Sequence, residues 1–77
     1  MMITLYTKKS CPNCVLAKNL LDSENICYEV KDVEEDFEAM QKLANFGVRS
    51  LPQVFKGNTL IPNGYQGLLR LWREGAL

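Results

Sequence analysis

The sequence has no histidine, only three cysteines and no net charge, since nine basic and nine acidic side chains cancel. The missing histidine excludes histidine-based catalysis and histidine metal ligation. The balanced charge gives no indication of a nucleic-acid partner or an anionic membrane surface. No apolar run approaches the roughly 20 residues needed to span a membrane, so no membrane partner is expected. Few cysteines and no secretory signal segment argue against a disulfide-stapled secreted scaffold, and we expect a cytoplasmic protein.

The length and composition are those of one small soluble domain. Seventy-seven residues can bury a modest core, and the chain is 47% hydrophobic and 23% charged. It contains no linker, repeat or low-complexity segment. We therefore expect a single domain over residues 1–77.

Strand and helix patterns alternate along the chain. We predict strands at residues 2–7, 26–30, 53–56 and 59–61, and helices from Cys14 to about Glu24, from Asp36 to about Gly47, and after Asn63-Gly64. Apolar residues at helical spacing mark the last two helices: Phe37, Met40, Leu43 and Ala44, then Tyr65, Leu68, Leu69, Trp72 and Ala76.

The order β-α-β-α-β-β-α predicts an α/β fold with one four-stranded mixed sheet flanked by three helices. The helical crossover makes the first two strands parallel, and Gly57-Asn58 joins the last two as an antiparallel hairpin. This order resembles the thioredoxin-like architecture, in which the first strand is central and a cysteine motif lies at its C-terminal end.

The pair Cys11-Pro12-Asn13-Cys14 stands between the first strand and the first helix, a spacing and context typical of redox chemistry. A free thiol with a pKa of about 8.5 is only about 3% thiolate at neutral pH. The helix N-terminus, Pro12 in the first turn and the nearby Lys8 all favour the thiolate of Cys11. Cys11 is therefore the predicted nucleophile, and Cys14 is predicted to resolve the mixed disulfide.

Other roles are open to the three cysteines. Half of a zinc site is disfavoured, because zinc normally takes four ligands and the chain has three cysteines and no histidine. Cys27, inside the second predicted strand, is expected to be a small buried hydrophobe, with a regulatory thiol as the alternative.

Two segments resemble the glutaredoxin family: residues 6–14, Tyr-Thr-Lys-Lys-Ser-Cys-Pro-Asn-Cys, and residues 47–55, Gly-Val-Arg-Ser-Leu-Pro-Gln-Val-Phe. Ser50 and Leu51 replace the threonine and valine of the family's Thr-Val-Pro segment. The resemblance covers essentially the whole chain and implies a dithiol–disulfide oxidoreductase. It also implies that Pro52 is a cis-proline facing the cysteines and that the backbone of Leu51 is free to pair with an extended thiol substrate.

The resemblance further implies glutathione as a co-substrate, with no tightly bound cofactor and no metal. Carried over residue by residue, the implied glutathione contacts are Lys8, Arg49, Leu51, Pro52, Gly64, Tyr65 and Gln66. A lysine, an arginine and a helix N-terminus suit the carboxylates of glutathione. The family also implies a monomer acting on disulfide-bearing proteins, among them ribonucleotide reductase.

Two departures from the family pattern leave the electron donor open. Asn13 stands where dithiol glutaredoxins often have tyrosine, and Gln66 stands where an acidic residue usually meets the ammonium of glutathione. Both departures, with Gly64-Tyr65, resemble the glutaredoxin-like redoxins that serve ribonucleotide reductase and are reduced by thioredoxin reductase. An iron–sulfur carrier, which Pro12 opposes, and a redox-inactive binding module, which the intact cysteine pair opposes, are the remaining alternatives.

Overall fold

The computed structural model describes residues 2–77. Its elements are β1 (Ile3–Thr7), α1 (Pro12–Ser23), β2 (Tyr28–Asp32), α2 (Phe37–Asn45), β3 (Gln53–Lys56), β4 (Thr59–Ile61) and α3 (Gly64–Arg73). This confirms the predicted order of strands and helices. Within these residues, every helix is too short or too polar to cross a membrane.

One mixed sheet carries all four strands in the order β2-β1-β3-β4. β1 runs parallel to β2 and antiparallel to β3, so that Leu5 is opposite Val30 on one side and Val54 on the other. β3 and β4 form the antiparallel hairpin. Because β1 is an inner strand, the segment that follows it leaves the sheet near the middle of one end, and the cysteine motif begins there.

The core lies in two clusters, which separate as alternate residues of the strands point to opposite faces. The first joins strand residues to α1 and α3: Ile3, Leu5, Val54 and Ile61 with Ala17, Leu21 and Leu68. The second joins strand residues to α2: Tyr6 and Phe55 with Ala39 and Leu43. Two helices therefore cover one face of the sheet and one helix covers the other.

Two predicted boundaries were wrong. α1 begins at Pro12 instead of Cys14, because Cys11 is its N-cap and proline suits the first helical position. β2 begins two residues later than predicted and extends into charged sequence as far as Asp32. It is an edge strand, so it does not need apolar residues throughout. Cys27 precedes it and is exposed, which contradicts the prediction of a buried side chain.

The helical spacing predicted the elements better than it predicted their buried faces. Phe37 is 74% exposed and Met40 is 50% exposed, although both lie on the predicted apolar stripe of α2. α2 is the only helix on its face of the sheet, so within residues 2–77 no second helix covers its outer side. In α3, Leu68 is fully buried, whereas Trp72 is 40% exposed and donates a hydrogen bond to Glu24.

Candidate active site

The two cysteines of the motif form a disulfide at the N-terminus of α1, with their Cα atoms 5.2 Å apart. Cys11 keeps 8% of its surface exposed, whereas Cys14 keeps 1%. The backbone N–H of Cys14 donates a hydrogen bond to the sulfur of Cys11 over 3.2 Å. Cys11 is therefore the more accessible of the two cysteines, and its sulfur receives a hydrogen bond from the helix terminus, an arrangement that favours its thiolate.

A tight turn places Cys11 at this terminus. Ser10 adopts a left-handed conformation with φ of 61°, which turns the chain sharply after β1. Cys11 is then extended, with φ and ψ of −110° and 101°, as an N-cap residue usually is. Pro12 follows at the first helical position, where its missing N–H would have had no helical partner.

The two lysines before the motif have different surroundings. The side chain of Lys9 lies 3.4 Å from the carboxylate of Glu35, and its backbone N–H donates to Glu34 over 3.2 Å. Lys8 is exposed, and among residues 2–77 no carboxylate lies within ion-pair distance of it. Lys9 is thus tied to the loop before α2, whereas the charge of Lys8 stays available beside the disulfide.

The Leu51–Pro52 peptide bond is cis, as the resemblance implied. Pro52 is buried, and the next residue, Gln53, keeps only 6% of its surface exposed. The side-chain amide of Gln53 donates to the carbonyl oxygen of Ser50 over 2.7 Å and to its hydroxyl over 3.1 Å. Gln53 was not among the predicted site residues, although an amide at the start of an apolar strand was a signal that could have identified it.

A groove of about 830 Å³ runs between the cis-proline loop and the start of α3. It brings together five of the predicted contact residues: Leu51, Pro52, Gly64, Tyr65 and Gln66. Asn13 of the cysteine motif also lines it. The two predicted cationic contacts lie elsewhere: Lys8 lines a separate groove with both cysteines, and Arg49 lines an apolar groove beside α2.

The start of α3 lies against the cis-proline because its first residue is a glycine. Gly64 has φ of 52°, and a Cβ atom added to it would stand 2.6 Å from the carbonyl oxygen of Pro52. The preceding Asn63 is also left-handed, and its side chain makes no capping hydrogen bond. The first turn of α3 contains no acidic residue, so this end of the groove offers backbone N–H groups and amides but no carboxylate.

Two further features are the potential metal ligands and the third cysteine. Residues 2–77 contain no group of three or more histidine, cysteine, aspartate or glutamate side chains able to hold a metal ion. Cys27 is a free thiol outside both the disulfide and the grooves described above.

Known proteins are similar to this chain in both sequence and fold. The family model described as "Glutaredoxin" matches residues 3–61. A glutaredoxin from Neisseria meningitidis serogroup A is 39% identical over 79 residues, covering 97% of this chain and 89% of that protein. The fold matches that of a buckwheat glutaredoxin–glutathione complex with a TM-score of 0.81 and 26% identity, covering 97% of this chain and 71% of the other. It matches the NrdH-redoxin of Escherichia coli, a glutaredoxin-like protein with a thioredoxin-like activity profile, with a TM-score of 0.79 and 29% identity over 90% of each chain.

Proposed function

The chain belongs to the glutaredoxin family and is a thiol–disulfide oxidoreductase of thioredoxin-like fold, and from this premise we propose that Cys11 attacks the substrate, Cys14 resolves the intermediate and glutathione supplies the electrons. The observation that carries this assignment of roles is the difference between the two sulfurs. Cys11 is the more exposed and accepts the N–H of the helix terminus, whereas Cys14 lies within the first turn.

The proposed reaction balances in two exchanges. The Cys11 thiolate attacks one sulfur of a substrate disulfide, forms a mixed disulfide and displaces the other sulfur as a thiolate. The Cys14 thiolate then attacks Cys11, which releases the second substrate sulfur and leaves the intramolecular disulfide. Two molecules of glutathione return the pair to the dithiol, and they leave as glutathione disulfide.

Glutathione is supported by the groove beside the cysteines. The backbone of Leu51, which lines this groove next to the cis-proline, suits pairing with a peptide-like thiol, and the N-terminus of α3 at Gly64 suits a carboxylate. Tyr65 and Gln66 supply further polar groups along the same wall. We propose that Lys8 and Arg49 contribute charge from the neighbouring grooves, and that no cofactor is bound tightly. The buckwheat relative, whose structure is a glutathione complex, lends this assignment further support.

Substitution of the two cysteines tests the roles. We expect Cys11→Ser to abolish disulfide reduction, because serine is not ionised at neutral pH and is a poor nucleophile. We expect Cys14→Ser to accumulate a mixed disulfide on Cys11, visible by mass spectrometry, and to retain only the route through glutathione mixed disulfides. Substantial reduction by the Cys11→Ser protein would contradict the assignment.

A second electron donor, thioredoxin reductase, is favoured by one observation: the first turn of α3 has no acidic residue to meet the ammonium of glutathione. The glutaredoxin-like protein NrdH of Lactococcus lactis is 29% identical over 71% of this chain, and this kind of glutaredoxin-like redoxin is the one that the resemblance associates with thioredoxin reductase. The two donors are separated by offering the oxidised protein glutathione in one assay and thioredoxin reductase with NADPH in another. Reduction by the reductase but not by glutathione would overturn the proposed donor.

The location and the oligomeric state are part of the same proposal. We propose that residues 1–77 act as one domain and as a monomer in the cytoplasm, where the cysteine pair would be returned to the dithiol. Ribonucleotide reductase is proposed as one of the disulfide-bearing partners. Gel filtration of the reduced protein tests the monomer.

A further inference from the structure

The disulfide opens onto a second groove, on the side of α1, that differs from the groove toward α3. This basic groove has a volume of about 370 Å³ and is lined by Lys8, Lys9, Ser10, Cys11, Pro12, Cys14, Val15 and Lys18. Three of its eight lining residues are lysines and none is acidic. Whatever disulfide reaches Cys11 from this side meets concentrated positive charge.

Lys18 belongs to this groove because of its position in α1. It follows Cys14 by four residues, so the two side chains lie on the same face of the helix. Lys18 is half-buried, which restricts its side chain more than that of a fully exposed lysine. The role proposed above for the α3 groove does not use it.

Only one of the three lysines of the basic groove has a carboxylate partner among residues 2–77. Lys9 is paired with Glu35 of this chain at 3.4 Å. Lys8 and Lys18 have no carboxylate within ion-pair distance among residues 2–77. The chain thus neutralises one of the three ammonium groups and leaves the two others beside the reactive sulfurs.

We propose that the basic groove is a subsite for the protein substrate, in which Lys8 and Lys18 receive carboxylates of residues next to the substrate's cysteine. The occupant is a disulfide-bearing polypeptide with acidic residues flanking its cysteine. The proposal rests on attack by Cys11 and adds the class of protein that is preferred. Since an exposed ion pair is worth up to about 1 kcal/mol, each lysine should favour an acidic substrate by up to about fivefold.

The test compares two peptide disulfides in single turnover. Each is a symmetric disulfide dimer of a short peptide, with glutamates on both sides of the cysteine in one and glutamines in the other. The protein is reduced chemically and freed of reductant beforehand, so that the result does not depend on the natural electron donor. The measured quantity is the ratio of the two second-order rate constants, in which changes in the nucleophilicity of Cys11 cancel.

We expect the wild type to reduce the acidic peptide several-fold faster and Lys18→Gln to lower this preference about threefold, with Lys18→Arg retaining it. Arg73→Gln is the matched control. It also removes one positive charge, at an exposed residue that ends α3 and does not line the basic groove. The preference should also disappear in about 1 M salt, where screening reaches about 3 Å.

Three outcomes would overturn the subsite. Equal rates for the two peptides in the wild type would mean that the groove does not select acidic substrates. An equal loss of preference in Lys18→Gln and Arg73→Gln would assign the effect to net charge alone. Failure to reduce either peptide would refute the proposed role of Cys11 and the subsite with it, a result distinct from reduction of both at the same rate.

Discussion

The close approach of α3 to the cis-proline loop predicts that Gly64→Ala is damaging for two separable reasons. Gly64 has φ of 52°, a left-handed conformation that costs an L-residue about 1–2 kcal/mol. A Cβ atom there would also stand 2.6 Å from the Pro52 carbonyl oxygen, where ordinary contact begins at 3.4 Å. Because that oxygen belongs to the backbone, the helix or the loop must shift, at a further cost of about 1–3 kcal/mol.

The other end of the same helix provides a control with only the first of these costs. Gly75 has φ of 71°, and a Cβ atom there would have no heavy atom within 4 Å. In both variants the alanine also restricts the unfolded chain, which returns about 0.4–1 kcal/mol. We therefore expect Gly75→Ala to lower the free energy of unfolding by about 1 kcal/mol and Gly64→Ala by about 2–4 kcal/mol.

Urea denaturation followed by circular dichroism measures this difference, and a steady-state assay measures its effect on the groove. We expect Gly64→Ala to raise the KM for glutathione, because the displaced Pro52 carbonyl narrows or distorts the wall on which the peptide thiol would lie. Gly75→Ala should leave that KM unchanged. If the two variants were destabilised equally, within about 0.5 kcal/mol, the reasoning from the contact with Pro52 would be refuted.

Three further predictions concern a helix cap, the reactive thiol and a tyrosine. Asp36→Ala should lower the free energy of unfolding by about 1 kcal/mol in the same denaturation assay, since the carboxylate accepts a backbone N–H in the first turn of α2; no loss would mean that the cap contributes nothing. Lys8→Ala should raise the pKa of the Cys11 thiol by removing a nearby positive charge, and an unchanged ultraviolet titration of the thiolate would count against this. Burial raises the pKa of the Tyr28 phenol above its ordinary 10.0, and the hydrogen bond from Tyr28 to Asp22 adds to the rise. Because the pKa of Tyr28 is higher in the folded state than in the unfolded state, the contribution of this phenol to folding stability is complete below about pH 10 and is lost as the pH rises through the folded pKa. Asp22→Asn should lower the pKa of Tyr28, which a phenolate absorbance titration measures.

The sequence was sufficient for the order of elements and for the position of the disulfide, because both depend on local signals. Alternating and helical apolar patterns, Gly57-Asn58 and the cysteine spacing act over a few residues each. The strand after α1 was misplaced because its limits depend on pairing with β1, where Ile3 is opposite Tyr28. Local composition cannot report that register, so Cys27 was assigned to a strand that begins after it.

The site shows the same division between local and long-range information. The roles of Cys11 and Cys14 could be argued from their places at a helix start. The separation of Lys8 and Arg49 from the groove at Gly64 could not, because it depends on how three loops meet at one edge of the sheet. Gln53 escaped notice for a related reason: its two hydrogen bonds to Ser50 exist only once the cis-proline loop has folded back on itself.

The Cys11 sulfur has two functions: it caps α1 by accepting a hydrogen bond from the Cys14 amide, and it is a redox-active atom of the disulfide. A thiolate accepts such a bond more strongly than a disulfide sulfur does, so reduction should tighten the first turn of α1 and oxidation should loosen it. Folding and redox state are then thermodynamically linked through this atom. Any substitution that strengthens the start of α1 around the thiolate should make the pair more oxidising, even when it touches neither sulfur.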